Sequence, residues 1–171
     1  MKEIIKHPFP PLFDGNSKIL ILGSFPSVKS RKNNFFYGHP QNRFWRVMAA
    51  VLGEQLPSTT EEKRSLLLGH GVALWDAIAS CEISGSSDAS ISSVTPNDLS
   101  LIFNDADIQA VCCNGKKAYE LYLRHIFPTS KREAIYLPST SPANASWSLE
   151  KLISEYSTAL APYLNPQDID I

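Results

Sequence analysis

Cysteine is scarce in this sequence: Cys81, Cys112 and Cys113 are all it has. An odd count with two neighbours adjacent excludes a disulfide framework, and no C-x-x-C is present for metal or redox chemistry. A reducing, intracellular setting is expected. The four histidines, His7, His39, His70 and His125, are scattered and form no metal set, so neither metal nor cofactor is expected. Long apolar runs are missing as well. The run over 19–22 is far too short to span a bilayer, and the N-terminus lacks the apolar core of a leader. A cytoplasmic protein without a membrane partner is expected. There is no Gly-x-x-x-x-Gly-Lys phosphate loop, and "GSFPS" is not G-x-S-x-G. No two carboxylates lie close in the manner of a glycosidase pair. P-loop nucleotide chemistry and carboxylate-pair sugar hydrolysis are thereby excluded.

Acid is also missing from one place where cations and aromatics crowd. The stretch "FFYGHPQNRFWRVM", residues 35–48, holds five aromatic side chains, two arginines, one histidine and one asparagine, with no Asp or Glu. Residues 1–46 carry eight cations against Glu3 and Asp14, a net +6 in a chain whose total is −1, so the rest carries −7. A basic face on a near-neutral protein is the electrostatic footprint of a nucleic-acid binder, although surface lysines alone would also produce it.

With 171 residues, 43% hydrophobic and 19% charged, a single domain over 1–171 with a real core is expected. Apolar runs alternate with helical periods. "KILILGS", "VALWDAI", "IQAVCCNG" and "EAIYLPS" read as four strands. "RFWRVMAAVLG", "EEKRSLLLGHG", "KKAYELYLRHI" and "SLEKLISEYSTAL" read as helices. Asn42 is placed to cap the first, Gly53 to stop it and Ser148 to cap the last. "TPNDLSLIF" reads as a helix opening at Thr95–Pro96, and "CEISGSSDASISS" as a polar loop. The predicted fold class is α/β: a three-layer α/β/α sandwich around a central, mostly parallel four-stranded sheet.

Ligands of such sheets sit beyond the carboxyl ends of the strands. Those ends are rich in Gly, Ser, Asn and Pro: Gly23-Ser24-Phe25-Pro26-Ser27, Cys113-Asn114-Gly115, and the segment from Leu137 to Pro142; the fourth carries Trp75-Asp76. A neutral, amide-rich and aromatic-rich site beside cations suits a planar heterocycle with phosphates nearby.

Three ordered segments carry a specific resemblance. "GHPQNRFWRV" resembles the Pro-x-Asn-x-Phe-Trp segment of the uracil-DNA glycosylase superfamily. "LPSTSPANASWSLEKL" resembles its second motif, a strand-end Pro/Ser loop that grips DNA. "VCCNG" is similar to its central strand, whose terminal Asn reads the extruded base. The likeness spans 19–160. "GSFPS" with "LPSTSPAN" is most similar to the deoxyinosine (hypoxanthine) DNA glycosylase branch. Two features depart from the family. The polar residue that usually follows the first strand is missing, with Phe25 near its place, and so is the His that often opens the second motif.

The resemblance implies hydrolysis of the N-glycosidic bond of a deaminated base, hypoxanthine first, in double-stranded DNA. A nucleoid-associated monomer that leaves an abasic site is expected. Asn42 would position water as the catalytic group; its other reading is the helix cap. Tyr37 would stack under the base, the backbone of Gly23, Ser24 and Phe25 would hydrogen-bond it, and Asn114 would read its edge unless it is a turn residue. Ser27, Lys29, Arg31, Lys32, Ser139, Ser141 and Asn144 would meet the DNA. Arg43 and Arg46 are phosphate candidates or a solvated face. Phe44 and Trp45 read as core anchors. Asp76 could hold water or serve structure. Lys29 and Lys32 also raise a lyase variant. The remaining alternatives are a uracil- or mismatch-specific glycosylase, a catalytically silent DNA- or nucleotide-binding module, and a serine hydrolase acting through Ser24.

Overall fold

The computed structural model describes residues 3–164; the ends of the expected 1–171 domain, with Lys2 of the basic segment, lie outside the described residues. In chain order the elements are β1 (Glu3–Lys6), β2 (Ile19–Gly23), α1 (Val28–Asn33), α2 (Phe44–Leu52), α3 (Thr60–Leu68), β3 (Val72–Asp76), β4 (Ile78–Ile83), β5 (Ser92–Pro96), α4 (Ser100–Asp105), β6 (Ala110–Asn114), α5 (Lys116–Leu121), α6 (Phe127–Ser130), β7 (Ala134–Leu137) and α7 (Leu149–Leu160).

The four apolar runs form one parallel sheet in the order β3-β2-β6-β7. Every residue of β2 and β3 is buried, so the sheet is covered on both faces. That is why these strands read as continuous apolar runs rather than alternating ones. α2 packs on α7, α5 on β6 and β7, and α3 on β3. Among the described residues no helix is long and apolar enough to cross a membrane.

Register aligns the strand ends. Gly23 pairs with Asp76, Leu22 with Cys113 and Asn114 with Leu137. Asp76, Gly23, Asn114 and Leu137 therefore form one row along the carboxyl edge. The chain leaves β2 toward β3 on one side and reaches β7 from β6 on the other, which makes the β2/β6 seam the topological switch point.

Three expectations need correction. The polar "loop" 81–93 contributes to an antiparallel sheet, β1-β4-β5. Its serines hid the alternation, yet Ile78, Cys81 and Ile83 are buried while Glu82 is not, and register shifts between β4 and β5 break the period. Thr95 and Pro96 end β5 rather than open a helix. α4 begins at Ser100, whose N–H donates to Asp98 Oδ1 at 3.0 Å. The cap of α2 is Arg43, with Asn42 one residue earlier. Gly53 in the left-handed region and Ser148 accepting from Lys151 N–H close and open their helices as expected.

Candidate active site

A cavity of about 310 Å³ opens over the β2/β6 seam, within the size range of ligand pockets. Gly23, Asp76 and Asn114 from the strand ends line it, together with the 24–27 turn, Tyr37, His39 and Asn42, and the loop 139–143 after β7.

Gly23 is glycine for a steric reason. A Cβ there would lie 2.4 Å from Asp76 Oδ1 and 3.2 Å from the Tyr37 hydroxyl, so the side chains to either side lean over a gap that only hydrogen fills. After Gly23 the chain turns. Among the described residues the N–H groups of Ser24 and Phe25 have no hydrogen-bond partner. They are left to face a ligand. The Ser24 hydroxyl donates to Asp88 Oδ1 at 2.8 Å. Asp88 is exposed as a residue, yet loss of solvent around its carboxyl, the largest cause, holds its pKa above the usual range. Ser24 thus donates to an acid and not to a histidine, while His7 is engaged with Asp76. That is not the geometry of a serine nucleophile.

The side chain of Asn42 is fully directed. Its Oδ1 accepts from Phe44 N–H at 2.9 Å and from the Thr140 hydroxyl at 2.9 Å. Thr140 Oγ1 in turn accepts from Asn114 Nδ2 at 3.0 Å, and Thr140 N–H donates to Asn114 Oδ1 at 3.0 Å. Each end is anchored by a backbone N–H, which can only donate, so the orientation of both amides follows. Asn42 keeps both N–H bonds of Nδ2 and Asn114 keeps one. Arg43 N–H to Thr140 carbonyl, 3.1 Å, ties the two segments again. Asn42 is not the N-cap, yet its oxygen serves the helix end by accepting from Phe44 N–H while its nitrogen remains available, so a helix-end role and a site role are compatible.

Tyr37 has φ +53°, an unusual conformation for a bulky residue. Gly38 N–H donating to Ser30 Oγ at 2.8 Å sets the turn beside it. One face of the Tyr37 ring lies on Phe44, with centroids 4.1 Å apart and planes at 19°, leaving at most the other face for a base. The hydroxyl is buried near Asn114 and Asp76 without a hydrogen bond of good geometry, and its pKa is raised, first by burial and then by the Asp76 charge. Phe44 and Trp45 are core anchors: Phe44 is fully buried, and the Trp45 indole donates to Phe36 carbonyl at 3.2 Å.

The loop after β7 is held from inside. Ser139 Oγ accepts from Ser141 N–H, Ser141 Oγ accepts from Ala143 N–H, and Asn144 Nδ2 donates to Ser139 carbonyl. The guanidinium of Arg43 donates to the carbonyls of Ser141, Asn144 and Trp147. Arg43 is therefore a brace for this loop and not a free phosphate ligand; Arg46 remains exposed. Of the remaining predicted contacts, Lys29 and Lys32 are exposed on α1 and neither lines the cavity. Ser27 caps α1 by accepting from Ser30 N–H, and it also lines the cavity. Arg31 donates to the carbonyls of Pro26 at 2.8 Å and Gly85 at 3.2 Å. Burial is the first cause of its lowered pKa.

Two residues escaped the sequence reading. Thr140, the hinge between both amides, is fully buried; nothing in "LPSTSPAN" separates it from its neighbours. His7 comes from the end of β1, and its Nε2 lies 2.7 Å from Asp76 Oδ2. No spacing in the sequence links residues 69 positions apart. Among the described residues no cluster of three or more His, Cys, Asp or Glu is placed to hold a metal. The thiols of Cys112 and Cys113 are pushed up to about 12, mainly by burial.

An open parallel sheet with an amide-lined cavity at its switch point defines an α/β protein built around a site for a small, planar, polar group. Comparison with known proteins narrows this. The model of the uracil DNA glycosylase superfamily matches residues 10–164. A hypoxanthine DNA glycosylase of Methanosarcina acetivorans is 38% identical over 149 residues, 85% of this chain and 92% of that protein. One from Methanosarcina barkeri is 37% identical over 123 residues, 70% of this chain and 78% of its own. The solution NMR structure of a candidate uracil DNA glycosylase from Methanosarcina acetivorans superposes with TM-score 0.75 at 32% identity, covering 91% of this chain and 98% of that one. The chain belongs to the uracil DNA glycosylase superfamily.

Proposed function

We propose that this protein is a monofunctional DNA glycosylase that hydrolyses the N-glycosidic bond of a deaminated base in double-stranded DNA, hypoxanthine first, and leaves an abasic site. The observation that carries the reading is the directed chain Asn42–Thr140–Asn114 across the cavity. The oxygen of Asn42 is already saturated by two donors, so the residue can donate from Nδ2 to the oxygen of a water but cannot take that water's proton. It positions the nucleophile for attack on a sugar that has already become cationic. Such a step needs departure of the base to run ahead of water attack. The unpartnered N–H groups of Ser24 and Phe25 would stabilise the charge that grows on the leaving base. The remaining N–H of Asn114 would meet the base carbonyl, and the open face of Tyr37 would stack against the ring, worth roughly 1–3 kcal/mol.

The base must leave the duplex to enter a cavity of this size. Lys29 and Lys32, with the serines of the 139–141 loop, suit the phosphates on either side. Both lysines are exposed outside the cavity, so neither is set to attack the sugar as a lyase amine. Hypoxanthine is favoured over uracil because the turn after β2 carries Phe25 instead of a polar group. The similarity to two hypoxanthine DNA glycosylases points the same way.

The test is strand nicking by alkali after incubation with duplexes carrying hypoxanthine, uracil, xanthine or a G·T mismatch. Hypoxanthine release faster than the other three is expected. Faster uracil release at equal enzyme would move the protein to the uracil branch. Tight binding with no abasic product from any duplex would make it a binding module.

A further inference from the structure

Asp76 is a buried carboxyl on the cavity wall that the steps above leave unused, and it is not alone. Its Oδ2 lies 2.7 Å from His7 Nε2, with the two side chains 5% and 4% exposed. Its Oδ1 leans over Gly23. The other ring nitrogen of His7 is 2.8 Å from Phe9 carbonyl, and an oxygen of that kind can only accept, so Nδ1 carries a proton. Phe9 N–H, at 3.5 Å from the same nitrogen, is too distant to reverse that assignment. A second proton must then lie between Nε2 and Oδ2, since two lone pairs do not approach to 2.7 Å. Whichever of the two atoms holds it, Asp76 Oδ1 bears none. It is a fixed acceptor aimed into the cavity.

The ring of His7 is walled by Phe9, Phe25 and Phe36 at 4.6, 6.0 and 6.2 Å between centroids. Tyr37 and Asp88 lie close enough to feel the Asp76 charge and His7 is bonded to it; Lys6, next to His7 in the chain, is exposed. The acceptor therefore sits in an apolar pocket behind and an amide-lined cavity in front. Across Gly23, on the neighbouring strand end, Asn114 offers its remaining N–H.

We propose that Asp76 is a specificity-determining residue that separates hypoxanthine from adenine and uracil from cytosine, accepting a hydrogen bond from the ring N–H that deamination creates, and that His7 is its positioning residue. This rests on the glycosylase reading. Loss of the exocyclic amine turns an amidine edge, with a bare ring nitrogen, into a lactam edge with N–H beside C=O. Hypoxanthine and uracil carry that N–H where adenine and cytosine carry a lone pair; guanine and thymine carry an N–H of the same kind, so Asp76 does not act against them. A fixed acceptor on one side of Gly23 and an amide donor on the other match the lactam. Adenine would set its lone pair against Oδ1, leaving a buried acceptor unpaired, which is how a hydrogen-bonding site rejects an analogue strongly.

Asp76→Leu keeps the volume of the side chain and removes the acceptor; an asparagine would not serve, because with Nδ1–H held by Phe9 carbonyl the neutral His7 Nε2 accepts from the amide NH2 and leaves a carbonyl oxygen toward the cavity. Single-turnover excision is measured on duplexes identical except for hypoxanthine, N1-methylhypoxanthine or adenine, with thermal melting alongside. The parental enzyme should release N1-methylhypoxanthine at least about a hundredfold more slowly than hypoxanthine. Asp76→Leu should lose hypoxanthine activity by a similar factor and raise the adenine-to-hypoxanthine rate ratio. His7→Phe, which keeps a ring among the three phenylalanines, should shift that ratio the same way by a smaller factor. Parental release of the N1-methyl base at the hypoxanthine rate overturns the proposal without need of any variant. So does a folded Asp76→Leu enzyme with the parental base ratio. A parental enzyme that releases neither hypoxanthine nor any other deaminated or mismatched base would instead overturn the glycosylase reading itself.

Discussion

Asn114 and Thr140 hold each other by two hydrogen bonds, one from the Asn114 amide to the Thr140 hydroxyl and one from the Thr140 N–H back to the Asn114 oxygen, both 3.0 Å. The hydroxyl then donates onward to Asn42. A side chain with no exposed surface thus sets the direction of two amides that face the cavity. Thr140→Val keeps the shape and removes the hydroxyl. It leaves Asn114 Nδ2 without its acceptor and Asn42 with one donor fewer. We expect about 1–3 kcal/mol of lost stability and a single-turnover excision rate lower by about tenfold or more, because both amides are freed to turn. Melting and excision on the same preparation check this. A variant that melts lower but cleaves at the parental rate would confine Thr140 to the fold.

Asn42→Asp separates the two uses of one side chain. The oxygen that accepts from Phe44 N–H and from Thr140 survives in the carboxylate, so the melting temperature should stay near the parental value. The Nδ2 donor does not survive. Single-turnover excision should fall at least about a hundredfold, roughly 2.7 kcal/mol of barrier, with damaged-DNA binding changed much less. Asn42→Ala should lose both rate and stability. Parental excision by a folded Asn42→Asp would reduce Asn42 to a helix-end residue.

Arg43 makes three bonds to carbonyls of one loop, a span that suits a planar guanidinium and not a point-charge ammonium. Arg43→Lys should therefore behave unlike a conservative change. Amide hydrogen exchange over residues 141–147 should speed up at least about tenfold, with less effect on the sheet, since local opening draws on local contacts. Unchanged exchange in that loop would show that the serine and Asn144 bonds hold it unaided.

What could be seen in the sequence followed from locality. β2, β3, β6 and β7 are continuous apolar runs, and their Gly, Asp and Asn ends point to the cavity before any coordinates. Asn42 and Asn114 stand in short segments with a recognisable pattern. The remainder depends on contacts that no window contains. His7 reaches Asp76 across 69 residues, and Thr140 and Arg43 join segments about 100 residues apart. Arg43, next to a hydrophobic helix and three residues from Arg46, has the local signature of a solvated cation; its burial against carbonyls is a property of packing. β4 and β5 were hidden for another reason, since the central strand β4 and the serine-containing edge strand β5 pair with shifted register and lack the period-two pattern.

The basic segment divides in the structure, and salt can show the division. Lys29 and Lys32 are exposed on α1, whereas Arg31 between them donates to the carbonyls of Pro26 and Gly85 and lies over the Phe25 ring at 5.6 Å. Two free ammonium groups can release counterions from DNA; a guanidinium bound to its own chain contributes less. The affinity of Lys29→Ala/Lys32→Ala for duplex DNA should fall with salt less steeply than the parental one, by about 0.9 in the log–log slope for each phosphate that is no longer neutralised. Its melting temperature should stay near the parental value, since neither lysine holds another element. Arg31→Ala should do the reverse, lowering the melting temperature and loosening the 24–27 turn with a smaller change of slope. The paired measurements are binding titrations from low to moderate salt and thermal melting of each variant. An unchanged slope in the double lysine variant would move the DNA away from α1, and a larger change of slope in Arg31→Ala than in the lysine pair would make Arg31 the main phosphate ligand.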